Sequence, residues 1–244
     1  MLRREPADPV EPMDDDLDLH NFSQCCRLFP LPGVVMFPHA VVPLHIFEPR
    51  YRQMTEDALA DDKLVTIVQL HPSRVGTTGT IGDPPIETIG CLGQIIQHER
   101  LPDGRFNFLL LGRKRVRLRR ELPGDKLYRI AEAELLEDDC DSEPEEPRRG
   151  GLTRLFRQAF SQRGKLEIDP DLAHLLETTV PLGVLTDIVA HALGLPPELK
   201  QELLAETNVA RRADTLLEVL AQALEGSPEG SPGWRSFPPP FSPN

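Results

Sequence analysis

The chain has 244 residues, with 27 Lys and Arg against 39 Asp and Glu, a formal net charge of −12 and 5% aromatic residues. Residues 1–21 and 137–146 carry −5 and −7, which together account for the whole imbalance, so the rest is neutral. Acidity confined to a tail and a linker excludes a global footprint for nucleic acid or for an anionic membrane.

The length is enough for one large or two small domains with a buried core. The four cysteines, Cys25, Cys26, Cys91 and Cys140, form no C-x-x-C pair and no spacing typical of a disulfide framework. They read as incidental thiols in a reducing compartment. The N-terminus MLRREPADPVEPMDDD lacks an apolar signal core and is too acidic for a transit peptide. The longest apolar run is broken by prolines and falls short of roughly 20 residues, so no membrane span and a cytoplasmic location are expected.

Residues 1–21 form an acidic tail with the composition of disorder. Between Leu28 and Met54 the apolar residues come in bursts (Val34 to Phe37, Val41-Val42, Leu44 to Phe47) separated by Pro30, Pro32, Pro38 and Pro43. Proline cannot donate to a sheet ladder, which predicts two or three short strands bent around corners. Glu48-Pro49 opens a helix over about residues 49–60. Lys63 to Leu70, Gly90 to Ile96, Phe106 to Leu111, Val116 to Arg119 and Tyr128 to Glu134 follow as strands, with Asp103-Gly104 as a hairpin turn. No βαβ rhythm is visible. Many short strands around one helix predict a small closed or nearly closed barrel over residues 22–137. An acidic linker at 138–150 closes on Gly150-Gly151. A 3.6-residue period then predicts about five helices over 151–225, in Leu152 to Phe160, Pro170 to Leu176, the stripe from Leu182 to Leu193, a start at Pro196-Pro197-Glu198, and a last helix capped at Thr207-Asn208. Residues 226–244 are a Pro/Gly/Ser-rich tail in which Trp234, Phe237 and Phe241 form a candidate short linear motif.

Five ordered strings carry a family resemblance: LFPLPGVVMFPHAVVPLHIFEPR at 28–50, GCLGQI at 90–95, LPDG at 101–104, LGRKRVR at 111–117, and LTDIVA with KQELL at 185–190 and 200–204. Over residues 27–225 the chain resembles the N-terminal substrate-binding domain of the Lon family of ATP-dependent proteases. The resemblance implies an α+β fold, a PUA-like β-barrel followed by an α-helical bundle. A Lon protease also carries an ATPase module and a Ser-Lys protease. No G-x-x-x-x-G-K-[ST] phosphate cradle and no placeable Ser-Lys pair occurs here. The expectation is therefore a stand-alone, non-enzymatic protein without cofactor. It would bind unfolded or degradation-targeted polypeptides, or serve a separate ATP-dependent protease as adaptor or modulator.

Apolar residues between Val34 and Phe47 exceed what a small barrel can bury. The candidate polypeptide-binding residues are accordingly Val35, Phe37, Val42, Ile46 and Phe47, with Arg50 and Arg52 as a polar rim, and extended clients are held by apolar contact and edge hydrogen bonds. The second reading is RNA binding by the basic run Arg113 to Arg120. A strand period of two would send Val116 and Leu118 inward and Arg115, Arg117 and Arg119 outward. A solvated strand face is the blander account of that run. Val75 to Gly90 lacks the lysine or helix start that a phosphate loop needs and reads as a barrel loop. His39, His45 and His71, with Glu48 and Asp83 nearby, lack metal-ligand spacing.

Overall fold

The computed structural model describes residues 22–71, 84–140, 144–161 and 180–225. Six strands carry the first half: β1 (Cys25–Leu31), β2 (Val41–Ile46), β3 (Leu64–Gln69), β4 (Ile89–Arg100), β5 (Phe106–Leu122) and β6 (Ile130–Leu136). Five described helices accompany them: α1 (Pro49–Leu59), α2 (Glu146–Ser161), α3 (Leu182–Ala192), α4 (Pro197–Ala205) and α5 (Val209–Glu225). The tails, most of the 75–90 loop and the expected helix at Pro170 to Leu176 lie outside the described residues.

The strands run in the order β2-β5-β4-β3-β1-β6, and β6 pairs with β5 as well as with β1. The pairing order of β5, β4, β3, β1 and β6 thus returns on itself, while β2 extends the first half of β5. β1 and β3 are parallel, with Leu28 opposite Thr66, although no βαβ rhythm is legible in the chain. The crossover between them contains β2 as well as α1, which hides the rhythm. The Asp103-Gly104 turn forms as expected: Leu101 N donates to Arg105 O at 2.8 Å and Gly104 takes φ +81°. The two strands expected around residues 106–119 are one long β5, bent by register shifts at Gly112–Lys114 and Leu118–Arg120.

Two apolar clusters follow from the alternation. One contains Cys26, Leu28, Leu64, Val68, Leu92, Val116, Ala131 and Ala133, drawn from all five strands of the ring, on the face they share. The other lies on the opposite face and joins Phe29, Ile67, Phe106, Phe108 and Leu110 to α1 and to Leu185, Leu193, Leu204 and Leu216 of the helices. Burial pushes the Cys26 thiol up to about 11 and raises Cys91 as well, so both sulfurs are held as unreactive thiols.

The helical part starts earlier than its glycines suggest. α2 begins at Glu146 and carries Gly150 and Gly151 inside it. A Cβ on Gly151 would sit 3.0 Å from a Leu217 methyl, so the missing side chain permits close approach of α2 to α5. α5 is capped as expected: Arg211 N donates to Asn208 Oδ1 at 2.9 Å. The start of the acidic linker is also paired, since Asp139 N donates to Thr207 O and Val209 N donates to Asp139 O.

Lys200 donates to the His191 carbonyl at 2.9 Å and no carboxylate pairs with it among the described contacts. Burial lowers Lys200 to about 8, and burial followed by the Lys200 charge lowers His191 to about 4. In both intervals, from 8 to the ordinary lysine value and from 4 to the ordinary histidine value, the unfolded chain binds more protons than the folded one. Stability therefore rises with pH through each interval and is lost as pH falls back through it. The expected result is a denaturation midpoint that climbs between pH 8 and 10 in the native chain. Lys200→Met flattens that climb, and urea titrations across the pH series measure it.

Candidate functional site

The Lon-like apolar segment does not form the expected groove. Val35, Phe37 and Ile46 are fully buried in the cluster that the helices complete, and Val42 is half-buried against it. The helical part supplies the burial that the sheet alone lacks. Phe47 stays 43% exposed and stacks on His45 with ring centroids 6.2 Å apart. Arg50 lies over the Tyr51 ring at 4.5 Å and pairs with Glu48 at 2.8 Å. Glu48, the N-cap residue of α1, makes no side-chain cap bond. Arg52 packs against Gly104 of the hairpin.

The exposed apolar residues gather elsewhere. Four large hydrophobic side chains are marked by exposure among the described residues: Val41 at 41%, Phe47 at 43%, Ile96 at 39% and Leu127 at 63%. Three of them belong to the β2-β5-β4 extension. In β5, Phe106, Phe108 and Leu110 turn to the core, so Asn107, Leu109 and Leu111 turn to the other face. Register puts Val41 opposite Leu111, Pro43 opposite Leu109 and His45 opposite Asn107. An irregularity between Ile95 and Gln97 leaves the exposed Ile96 without a partner across from β5, beside Gln97, which stands opposite Leu109. Leu109 and Leu111 are half-buried and belong to neither core cluster. The signal was present in the sequence: three consecutive leucines, 109 to 111, in a strand oblige at least one to leave the core.

Among the described residues no strand pairs with the outer edge of β2, and that edge is poor in donors. Gly112 N donates to Ala40 O, which sets Ala40, Val42 and Leu44 toward β5 and turns Pro43 to the open edge. Only the N–H groups of Val41 and His45 remain there, so edge hydrogen bonding to β2 is interrupted in its middle.

Beyond the apolar rows, polar groups cross the three strands in a line. Arg105 Nη1 lies 3.2 Å from His45 Nε2, His45 Nδ1 lies 2.7 Å from Asn107 Oδ1, and Asn107 Nδ2 donates to Glu99 at 3.3 Å. With Arg105 donating to Nε2, His45 carries its proton on Nδ1.

The basic run keeps its alternation from Arg115 to Leu118 but not the expected exposure. Val116 is buried and Leu118 half-buried, with Arg117 and Arg119 exposed, but Arg115 is 3% exposed. Arg115 shares the face of Arg117, with no register shift between them, but its stretch of that face lies under the helices. There its Nη1 donates to Asp187 at 2.9 Å, its Nη2 also meets Asp187, and its Nε donates to Leu204 O at 2.9 Å. Arg212, fully buried, approaches Asp187 at 3.4 Å and donates to Asp138 at 2.8 Å. Burial opposes the charge on Arg115, yet the attraction of Asp187 outweighs it and holds the guanidinium above its ordinary value. Arg117 and Arg119 share Glu134, whose carboxyl is held below its usual range by the Arg119 hydrogen bond first and then Arg117. Arg120 pairs with Glu132 and Lys114 with Glu137. Five of the six bases between Arg113 and Arg120 thus have acidic partners, drawn from β6, the residues after it and the helices.

His39, His45 and His71 do not converge. His39 sits in a left-handed turn at φ 64°, and His71 faces Glu87 at 4.0 Å. Among the described residues no group of three His, Cys, Asp or Glu side chains could hold a metal ion, and no helix is long and apolar enough to cross a membrane.

Residues 26–222 match the family model described as the ATP-dependent protease La (LON) substrate-binding domain. The chain is 29% identical over 200 residues to the Lon protease of Heliobacterium modesticaldum, spanning 81% of this chain and 24% of that one. It is 28% identical over 193 residues to the Lon protease of Rhizobium meliloti, 78% of this chain and 23% of that one. The chain therefore spans about a quarter of the length of the curated relatives it matches. Among solved structures, the N-terminal domain of the Mycobacterium avium complex Lon protease superposes with a TM-score of 0.64 at 15% identity, covering 81% of this chain and 98% of that domain. The Lon N-terminal domain protein from Xanthomonas campestris does so with a TM-score of 0.58 at 22% identity, covering 80% and 97%. At those identities the likeness shows the fold, a mixed sheet with helices. The match of the family model across most of the sequence shows that the chain belongs to the Lon substrate-binding domain family.

Proposed function

We propose that this chain binds extended apolar segments of unfolded or degradation-targeted polypeptides on the outer face of β2, β5 and β4. It would act without catalysis of its own, as an adaptor or modulator of protein turnover. In this reading the ring of strand pairings is a PUA-like small barrel, and α2 to α5 form the bundle that steadies it. The observation that carries the reading is the group Val41, Leu109, Leu111 and Ile96, apolar side chains of the β2-β5-β4 extension that belong to neither core cluster. Full burial of one such side chain is worth about 1.5–3 kcal/mol, so two or three contacts suffice for a weak, exchangeable hold on many sequences.

Holding without turnover suits an adaptor: a separate ATP-dependent protease would supply the work. Of the bases in the RNA alternative, Arg115 is buried, and the exposed Arg117, Arg119 and Arg120 already serve Glu134 and Glu132.

The test is binding of a permanently unfolded, reduced and carboxymethylated protein, followed by fluorescence anisotropy. Leu109→Asp places a charge in the middle of the row and is expected to weaken binding at least tenfold, from the loss of about 1.5 kcal/mol or more of apolar contact. Arg117→Glu is expected to leave it unchanged. Binding that ignores Leu109→Asp, or that disappears with Arg117→Glu and with salt, would overturn the reading in favour of the basic strand.

A further inference from the structure

The outer face is not uniformly apolar, and its polar end carries a charge imbalance. The other strand carboxylates are matched: Glu121 pairs with Arg129, Glu132 with Arg120 and Glu134 with Arg117 and Arg119. The hairpin and helix-entry acids are matched too, Asp103 by Arg105 and Glu48 by Arg50. Glu99 of β4 is the exception. It is exposed, and among the described residues its contact is the neutral Asn107 amide at 3.3 Å. Its neighbour Arg100 is directed to the other face, over the Phe106 ring and onto Glu56.

The line from Arg105 through His45 and Asn107 fixes where that carboxylate stands. Asn107 spends its amide on Glu99 because its carbonyl is already engaged by His45. Glu99 is thereby held level with the Asn107 row, on the same face as the leucines. Rows on one face of a strand are about 7 Å apart. The carboxylate therefore stands about 7 Å beyond the Pro43–Leu109 row and about 14 Å beyond the Val41–Leu111 row.

We infer that this face selects extended segments in which two apolar residues, spaced i and i+2, are followed by Lys or Arg at about i+4, with Glu99 receiving the cation. The apolar residues lie over Leu111 with Val41 and over Leu109 with Pro43, and the basic side chain reaches the unmatched carboxylate. The inference rests on the proposed polypeptide site and adds its selectivity. The pair is exposed, so it adds discrimination more than affinity.

Three labelled peptides test it, all of the pattern Leu-Ser-Leu-Ser-X with X as Lys, Gln or Glu, titrated against the full chain. The Lys peptide is expected to bind about fivefold more tightly than the Glu peptide, an exposed attraction set against an exposed repulsion. That ratio shrinks as salt is raised from about 50 mM to about 500 mM. Glu99→Lys inverts the order and Glu99→Gln removes it, while both leave the Gln peptide unchanged. Equal binding of all three peptides by the native chain, still abolished by Leu109→Asp, would overturn the charge selection and leave the apolar site standing. Binding of all three that is indifferent to Leu109→Asp would overturn the selection together with the site.

Discussion

Replacing Asp187 with alanine is expected to lower the stability of the folded chain by about 3–5 kcal/mol, as removal of one partner from a buried ion pair does. Asp187 is 1% exposed and meets two guanidiniums, Arg115 from β5 and Arg212 from α5. Arg115 is 3% exposed and Arg212 0%. Without the carboxylate, Arg115 keeps a 3.4 Å contact to Asp138 and the Leu204 carbonyl, which leaves most of its charge uncompensated away from water. A urea titration reads the loss as a lowered midpoint. The paired variant Asp187→Leu with Arg115→Met is expected to recover much of it, because a packed apolar pair replaces a desolvated ionic one. If Asp187→Ala and the paired variant are equally damaged, shape rather than charge holds the sheet to the helices at this point.

The second large effect is expected at Gly112. A Cβ there would overlap the Phe37 carbonyl oxygen and lie 3.1 Å from Pro38 Cα. The backbone of Gly112 also binds that loop, donating to Ala40 O and accepting from His39 N, each at 2.8 Å. Gly112→Ala must push residues 37–40 away, loosening both hydrogen bonds and withdrawing the fully buried Phe37 from the core. The expected cost is about 3 kcal/mol, from two hydrogen bonds and imperfect core packing. Gly124 provides the contrast, since a Cβ there meets nothing within 4 Å. Gly124→Ala is expected to change stability by less than about 0.5 kcal/mol. Equal midpoints for the two variants would show that the 37–40 loop yields freely and does not clamp β5.

These two sites show where sequence reasoning reached and where it stopped. The hairpin at Asp103-Gly104, the helix starts at Pro49 and Pro197 and the Asn208 cap are local. Each depends on φ preferences or on one side chain reaching a neighbouring N–H, and each was legible along the chain. The start of α2 was misread because glycine pairs usually end helices. In the fold, Gly151 is spared a side chain by the proximity of Leu217, a residue 66 positions away.

The face that we assign to polypeptides was partly legible. An apolar surplus in the first half was recognised, but its location was not. Val35, Phe37 and Ile46 have the same local signature as Val41 and Leu109, a hydrophobic side chain on or beside a strand. What separates them is the helical layer, which lies on one face of the sheet and not on the other.

Arg115 makes the same point for charge. A period of two assigned it to solvent with Arg117 and Arg119, and local chemistry offers no reason to set it apart. The helices that cover its stretch of the strand, with an aspartate 72 residues further on, reverse that assignment. The sequence by itself determined the Lon-type succession of strands and helices, because turn chemistry, capping and hydrophobic period act over a few residues. Only the tertiary structure decided which apolar side chains remain exposed and which charges are buried, because both depend on what packs across from them.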